Sequence, residues 1–244
     1  MNIIGVIPAR LKSTRFPEKM LAKIKGRTLI EMVYLNAKKA SSLKELYVAT
    51  DNAKIKNVIE AAGGKAIMTP ASCKSGTERI REALKIIRAN MNDIVVNIQG
   101  DEPLLEPSLI DKAVKALIAD KTCDASTLAS VIVDAKEIAN PSAVKVVTDN
   151  FSNAMYFSRS VIPHNRDGVK LKPGMYLKHI GLYAYKKSVL DRWLKLDSRY
   201  EGVEKLEQLR MLENGCKMKV VVVKSKSIGI DTRRDFERLK KIIR

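Results

Sequence analysis

Aromatic side chains and cysteines are scarce in this chain, and each scarcity argues against a class of protein. Phe, Trp and Tyr together make up 5% of the 244 residues, too few for the base-stacking surfaces of single-strand nucleic-acid binders. The three cysteines, Cys73, Cys123 and Cys216, lie far apart, which predicts reduced thiols of a cytosolic protein and no zinc or disulfide framework. No apolar run approaches the roughly 20 residues of a membrane span, so we expect no membrane insertion.

Acidic residues are also few, with 27 Asp and Glu against 45 Lys and Arg and a net charge of +18. Such an excess is compatible with nucleic acid, an anionic membrane surface or small anionic substrates. The charge is spread along most of the chain and leaves the partner open. The first residues, Met1–Pro8, lack the basic region and the cleavage site of a signal peptide and predict a buried strand. A cytoplasmic location is therefore expected.

Apolar runs suited to buried strands alternate with segments of helical period, which predicts an α/β fold with a mostly parallel sheet and helices on both faces. We expect one domain over residues 1–244, with an inserted and less regular subregion at about 125–200 that contains the Pro- and Gly-rich stretch 163–174. The predicted strands of the first half are Asn2–Pro8, Glu45–Thr50, Lys65–Met68 and Asp93–Ile98. The helices between them include Thr28–Ala40, with Ile30, Val33, Tyr34 and Ala37 on its buried face.

Near the C-terminus the pattern predicts a single helix over Val203–Asn214, a strand over Met218–Val223 and a last helix over Thr232–Ile243. On the first of these helices Glu204, Glu207 and Gln208 have the spacing i, i+3, i+4 and are expected to share one polar face. Val203 belongs to its more apolar side.

The first predicted strand runs directly into a basic loop that carries Arg10, Lys12, Arg15 and Lys19. Ligands of open α/β sheets bind beyond the carboxyl ends of the strands, and Arg and Lys in such a loop suit an anionic group such as a phosphate. The loop has neither the Walker A nor the G-x-G-x-x-G pattern. Taken alone, the segment is equally compatible with a solvated basic surface loop.

Two aspartates follow apolar segments and are candidate metal ligands. Asp101 lies just past the strand ending at Ile98, and Asp231 follows Ile228-Gly229-Ile230. Carboxylates at such positions suit Mg²⁺, whereas a turn or helix cap is the commoner role of an isolated Asp. Sequence separation alone does not establish that the two side chains meet.

In their order and spacing these segments resemble the cytidylyltransferases that activate 3-deoxy-D-manno-octulosonate (Kdo), over nearly the whole chain. The motifs that carry the resemblance are Ile7-Pro8-Ala9-Arg10 through Lys19, Val48-Ala49-Thr50-Asp51, Ser75-Gly76-Thr77-Glu78-Arg79, Asn97-Ile98-Gln99-Gly100-Asp101-Glu102-Pro103, Asn140-Pro141 with Val144-Lys145-Val146-Val147, Tyr156-Phe157-Ser158-Arg159, His179-Ile180-Gly181-Leu182-Tyr183 and Glu207-Gln208-Leu209-Arg210.

The resemblance implies a Rossmann-like nucleotidyltransferase fold, a homodimer formed through the middle region, and transfer of CMP from CTP to Kdo for lipopolysaccharide biosynthesis. It implies catalytic roles for Arg10, Lys19, Asp101 and Asp231, the last two holding Mg²⁺. It places CTP at Ala9, Arg10, Lys19, Ser75, Arg79 and Gln99, and the sugar at Arg159, His179, Tyr183, Glu207 and Gln208.

Simpler interpretations of several of these residues stay open at this point. A lone His such as His179 in an apolar run is typical of a structural hydrogen bond, and Glu207 is typical of an exposed helix charge. Ser75 and Glu78 have the spacing of a capping box. The alternative functions are a cytidylyltransferase for 8-amino-Kdo, sialic acid or another acidic sugar, and a basic protein that binds nucleic acid.

Overall fold

The computed structural model of the chain describes residues 1–169, 174–225 and 227–243. Helices alternate with strands as predicted, and the α/β class is confirmed. No helix in these three ranges is long and apolar enough to cross a membrane. The elements in chain order are β1 (Ile3–Ala9), β2 (Lys23–Ile24), β3 (Arg27–Thr28), α1 (Leu29–Ala37), β4 (Glu45–Thr50), α2 (Ala53–Ala61), β5 (Lys65–Met68), α3 (Gly76–Ile86), β6 (Ile94–Asn97), α4 (Pro107–Ala119), β7 (Ala125–Val131), α5 (Ala135–Ala139), β8 (Lys145–Thr148), β9 (Ala154–Ser158), β10 (Leu177–Lys186), α6 (Lys187–Trp193), α7 (Tyr200–Glu204), α8 (Gln208–Glu213), β11 (Met218–Val222) and α9 (Arg233–Ile242).

The chain divides into two compact units, one made of Met1–Asp111 with Ser225–Arg244 and the other of Lys112–Lys224. In the first unit, β6, β1, β4 and β5 lie side by side in that order and all neighbours are parallel. Because the strands are parallel, their carboxyl ends share one edge of the sheet. The segments that begin at Arg10, Asp51, Thr69 and Ile98 therefore all start at that edge.

Burial of the strands and helices of the first unit follows the predicted pattern. Val6 and Ile7 of β1 are fully buried, as expected for a strand covered on both faces. On α1 the predicted stripe of Ile30, Val33, Tyr34 and Ala37 is buried, and Thr28 caps the helix by accepting a hydrogen bond from Glu31 N. The predicted strands Glu45–Thr50 and Lys65–Met68 are confirmed with the same bounds.

The second unit contains a mixed sheet. β7 pairs with β11 in parallel and with β10 antiparallel, and β8 lies antiparallel to both β10 and β9. The register of β10 against β7 shifts between Ile180 and Tyr183, so the pairing of the two strands is irregular at this point. Within the predicted stretch 163–174, residues 170–173 lie outside the described residues.

The single helix predicted over Val203–Asn214 is wrong. The chain forms α7 and α8 instead, and Lys205 between them has a left-handed backbone with φ 54°. Val203, predicted to lie on the apolar side, is 82% exposed. Helical spacing in the sequence did not reveal this interruption, because Leu206 and Leu209 are buried in either arrangement.

Candidate active site

The segment after β1 lines a cavity of about 380 Å³ with residues between Arg10 and Glu18. Ala9 is buried as the last residue of β1, whereas Arg10 and Lys12 are exposed. The lining contains two cations, Arg10 and Lys12, and one carboxylate, Glu18. Guanidinium and ammonium groups at the carboxyl end of a parallel strand can pair with the oxygens of a phosphate group.

Lys19 brings the two candidate metal ligands together. Its ammonium nitrogen lies 2.8 Å from Asp101 Oδ2 and 3.4 Å from Asp231 Oδ1. It also donates a hydrogen bond of 2.8 Å to the carbonyl oxygen of Ile230. Lys19 is only 8% exposed, so this ammonium is held in place by its partners. The two aspartates, distant in the sequence, therefore both lie within 3.4 Å of one nitrogen atom.

A buried apolar cluster explains how the basic loop reaches the segment that carries Asp231. The rings of Phe16 and Phe236 lie 5.4 Å apart in an edge-to-face arrangement, and Ile230 packs in the same cluster. The main chain of Ile230 then donates a hydrogen bond of 2.9 Å to the carbonyl oxygen of Asp101. These contacts fix Asp231 beside Asp101 through packing that no local sequence pattern encodes.

The start of α9 orients Asp231. Thr232 and Asp235 form a reciprocal capping box there, and the Asp235 carboxylate also accepts a hydrogen bond of 3.2 Å from the Asp231 N–H. Arg15 lies 3.0 Å from Asp231 Oδ1, but both side chains are at least half exposed. Water and salt screen that ion pair, so it contributes little to the geometry.

The carboxylates of Asp101 and Asp231 fit a magnesium ion. Mg²⁺ takes hard oxygen ligands and is usually held by one or two carboxylates together with substrate phosphates. No group of three His, Cys, Asp or Glu that could hold a metal occurs in the described parts of the chain. With two carboxylates alone, most coordination positions of such an ion would fall to other ligands.

Arg79 is buried and tied to the ends of β4 and β5. Its guanidinium donates hydrogen bonds of 2.9 Å to Asp51 Oδ2 and 2.7 Å to Thr69 Oγ1, and Thr69 in turn donates to the carbonyl oxygen of Thr50. Two of the five guanidinium donors are thus engaged with the sheet edge. The arrangement fixes the guanidinium at the carboxyl ends of the strands, where a ligand is expected.

Ser75 caps α3, as predicted, by accepting a hydrogen bond of 3.2 Å from Glu78 N. The carboxylate of Glu78 accepts from the main chain of Lys74 rather than from that of Ser75, so only half of the predicted capping box forms. Gln99 follows β6 directly before Gly100 and is partly exposed. Ser75, Arg79 and Gln99 therefore all lie at or near the same sheet edge as Asp101.

In the second unit His179 is held between other side chains. Its Nε2 lies 2.9 Å from Thr127 Oγ1, and its ring contacts the rings of Phe157 and Tyr183 at centroid distances of 4.9 and 5.3 Å. Desolvation lowers the pKa of His179 to about 3, so the imidazole is neutral near pH 7. A neutral imidazole offers a hydrogen bond to a hydroxyl and no charge to a carboxylate.

Arg159, at the end of β9, makes three hydrogen bonds with its guanidinium. The acceptors are the carbonyl oxygens of Glu204 at 2.8 Å, Pro141 at 3.1 Å and Lys205 at 3.5 Å. The side chain is partly exposed. Three of its five donors are used in this way, which leaves two for an external acceptor such as a carboxylate.

The predicted polar face of Glu204, Glu207 and Gln208 does not form, because the helix is interrupted between the first residue and the other two. Glu204 is engaged instead by the main-chain N–H of Arg159 and the hydroxyl of Ser158. Glu207 stands at the N-cap position of α8, and Gln208 is 4% exposed. The structure therefore separates Glu204 from the other two predicted residues.

Comparison with known proteins agrees with this geometry. The cytidylyltransferase family matches residues 4–228 of the chain. The chain belongs to this family. A 3-deoxy-manno-octulosonate cytidylyltransferase of Syntrophobacter fumaroxidans is 44% identical over 238 residues, 97% of this chain and 95% of the relative.

Two further matches bear on this cytidylyltransferase. An 8-amino-3,8-dideoxy-manno-octulosonate cytidylyltransferase of Shewanella pealeana is also 44% identical, over 97% of this chain and 96% of the relative. A solved structure of CMP:2-keto-3-deoxy-manno-octonic acid synthetase complexed with CTP has a TM-score of 0.92 at 37% identity and covers 100% of this chain and 98% of its own.

Sequence reasoning assigned no role to Asp51, Thr69 or Lys145, which the structure of this cytidylyltransferase places next to predicted site residues. Asp51 could have been found, because it follows a buried strand as Asp101 does. Lys145 carried a different signal, a single cation within the apolar run Ala143–Val147. Thr69 carried none, since hydroxyl side chains are common after strands.

Proposed function

We propose that this cytidylyltransferase transfers CMP from CTP to the anomeric hydroxyl of Kdo and releases pyrophosphate. The observation that carries the proposal is the convergence of Asp101 and Asp231 on the ammonium of Lys19, beside the cationic loop after β1. The sugar is taken from the relatives, several of which are named for Kdo.

The nucleotide side of the reaction falls to the first unit. Arg10 pairs with the triphosphate. The ammonium of Lys19, held by Asp101, Asp231 and the carbonyl oxygen of Ile230, adds a fixed positive charge that stabilises the charge developing as pyrophosphate leaves. Ala9 places the main chain of the loop against the phosphates. Ser75, Arg79 and Gln99 contact the cytidine, and the tie between Arg79 and Asp51 at 2.9 Å supports a fixed donor for the base.

The reaction is an in-line attack of the sugar hydroxyl on the α-phosphorus, in which positioning and charge neutralisation do most of the work. Asp101 and Asp231 would hold a Mg²⁺, which supplies a Lewis acid for the hydroxyl and for the phosphate oxygens. Lys19 lies between the same carboxylates and keeps their oxygens directed at one point.

The sugar side falls to the second unit, where Arg159 offers cationic donors for the sugar carboxylate. His179, Tyr183, Glu207 and Gln208 supply the mixed donors and acceptors that sugar hydroxyls require. A second candidate is the 8-amino sugar, favoured by the relative from Shewanella pealeana at the same 44% identity.

The decisive experiment offers the purified protein CTP, Mg²⁺ and one sugar at a time from Kdo, 8-amino-Kdo and sialic acid, and measures pyrophosphate release. We expect the highest kcat/KM with Kdo. A higher value with 8-amino-Kdo or sialic acid would reassign the sugar, and no release with any of the three would contradict the proposal as a whole.

The metal assignment is tested by Asp101→Asn, which keeps the size of the side chain and removes its charge. We expect turnover to fall at least about 100-fold, in line with the loss of a charged catalytic contact. The thermal midpoint should also fall, because the buried Lys19 loses one of its two carboxylate partners, so activity is compared at a temperature at which circular dichroism shows the variant to be folded. Glu60→Gln, in an exposed pair with Lys56 at 3.7 Å, is the control and should keep full activity. Near-normal turnover of Asp101→Asn would refute the assignment.

The last part of the proposal concerns the oligomeric state of the protein and its place in the cell. We propose a cytoplasmic homodimer, which light scattering at micromolar concentration tests directly. A nucleic-acid-binding role is the rival of another class. It predicts affinity for RNA or DNA that falls steeply with salt and no metal-dependent turnover, and a filter-binding titration over salt separates the two.

A further inference from the structure

Lys145 is a buried cation that the proposed reaction does not use. It lies on β8 and is 0% exposed. Burying an ammonium is unfavourable unless its donors are satisfied. Desolvation indeed lowers the pKa of Lys145. A residue kept at such a disadvantage calls for a functional explanation.

The acceptors of the Lys145 ammonium are two main-chain carbonyl oxygens. One belongs to Arg159, at 2.7 Å, and the other to Asn140, at 3.0 Å. The register of β8 and β9 pairs Lys145 with Ser158, so the ammonium reaches the carbonyl of the next residue. Lys145 thus holds the main chain of Arg159 at its carbonyl end.

Glu204 holds the same residue at its amino end. One carboxylate oxygen accepts a hydrogen bond of 3.0 Å from the Arg159 N–H, and the other accepts from the Ser158 hydroxyl at 2.5 Å. The carbonyl oxygen of Glu204 accepts from Arg159 Nε at 2.8 Å. The left-handed turn at Lys205 directs this end of α7 back towards the arginine.

The group formed by Lys145, Arg159 and Glu204 carries more positive than negative charge. Lys145 and Arg159 are both cationic, whereas the Glu204 carboxylate accepts from the main-chain N–H of Arg159 and not from its guanidinium. One further negative charge would balance the group. A sugar carboxylate supplies that charge, and two guanidinium donors are left for its oxygens after the three bonds to main-chain carbonyls.

We propose that Lys145 and Glu204 are positioning residues that hold Arg159 by its main chain so that its guanidinium meets the carboxylate of the acidic sugar. This inference rests on the proposed function. It adds two residues that act on the sugar through Arg159 without touching it. The guanidinium of Arg159 is itself held by three main-chain carbonyls, and with the main chain also fixed less conformational entropy is lost when the sugar binds.

The test is the steady-state kinetics of Lys145→Met, which keeps the length of the side chain and removes its donors. We expect KM for Kdo to rise about 10-fold or more while KM for CTP stays within twofold. Glu204→Gln keeps the size of the side chain and an acceptor, and should raise KM for Kdo less. Lys219→Met, on β11 in the partly exposed pair with Asp120 at 3.0 Å, is the matched control and should change neither constant.

A double variant separates positioning through Arg159 from a general structural role. If Lys145 acts through Arg159, Lys145→Met combined with Arg159→Met should be no worse for Kdo than Arg159→Met alone. Additive losses, or equal rises in KM for Kdo and CTP, would overturn the inference. Should Lys145→Met not fold, Glu204→Ala with and without Arg159→Met gives the same comparison. A wild-type protein inactive with every acidic sugar would contradict the proposed function instead.

Discussion

Removing Asp51 tests how strongly the buried guanidinium of Arg79 depends on its partners. The Arg79 side chain is 4% exposed and that of Asp51 21%, with 2.9 Å between them. Breaking a buried ion pair from one side costs about 3–5 kcal/mol, because an uncompensated charge stays inside. Thr69 continues to accept one hydrogen bond, and Asp51 is partly hydrated. For Asp51→Ala we therefore expect a loss of about 2–3 kcal/mol in the free energy of unfolding.

Urea unfolding followed by circular dichroism measures this loss directly, and the thermal midpoint should fall by about 5–10 °C for a chain of this size. The double variant Asp51→Ala with Arg79→Met should recover most of the stability, because the buried charge is gone. Glu82→Gln, on the same helix as Arg79, is the control. Its pair with Lys85 is partly to half exposed, so the change should stay below about 0.5 kcal/mol.

Two results would refute this reasoning. One is an Asp51→Ala variant whose unfolding free energy lies within about 0.5 kcal/mol of the wild type. The other is a double variant that is no more stable than the single one. Either would mean that Arg79 finds other partners or water when Asp51 is absent.

Three further predictions concern the same two units. Gly100→Ala would place a Cβ 3.1 Å from a main-chain oxygen of β1. It should lower the free energy of unfolding by about 1–3 kcal/mol and lower turnover, as urea unfolding and pyrophosphate release would measure. Gly202→Ala, with open space around it, is the control and should change neither. The pKa of His179 is about 3 in the folded protein, whereas in the unfolded chain the imidazole takes up a proton below about pH 6.5. Stability should therefore fall as the pH drops below 6.5, by up to about 1.4 kcal/mol per pH unit, and a His179→Gln variant that keeps the whole slope between pH 7 and 5.5 would contradict this. Phe16→Ala removes the ring that packs on Phe236 and should lower the free energy of unfolding by about 3–5 kcal/mol. It should also weaken CTP binding, as measured by equilibrium dialysis. Unchanged CTP binding would show that the apolar cluster does not position the nucleotide site.

The sequence by itself determined the α/β class, most strand bounds and the buried stripe of α1, because these follow from local periodicity and from capping chemistry. It also predicted Asp101 as a site residue, since a carboxylate directly after a buried strand of a parallel sheet has only one edge on which to lie. The same rule, applied once more, would have found Asp51.

Only the tertiary structure decided which of these groups meet. Asp231 reaches Lys19 because Phe16 packs on Phe236, a contact between residues far apart in the chain that no periodicity encodes. The interruption at Lys205 depended on the same kind of information, since helical spacing continues through it and only the hydrogen bonds of Glu204 to Ser158 and Arg159 reveal where the chain turns. Local patterns specify elements, whereas long-range packing specifies the distances between their side chains, and the proposed chemistry depends on those distances.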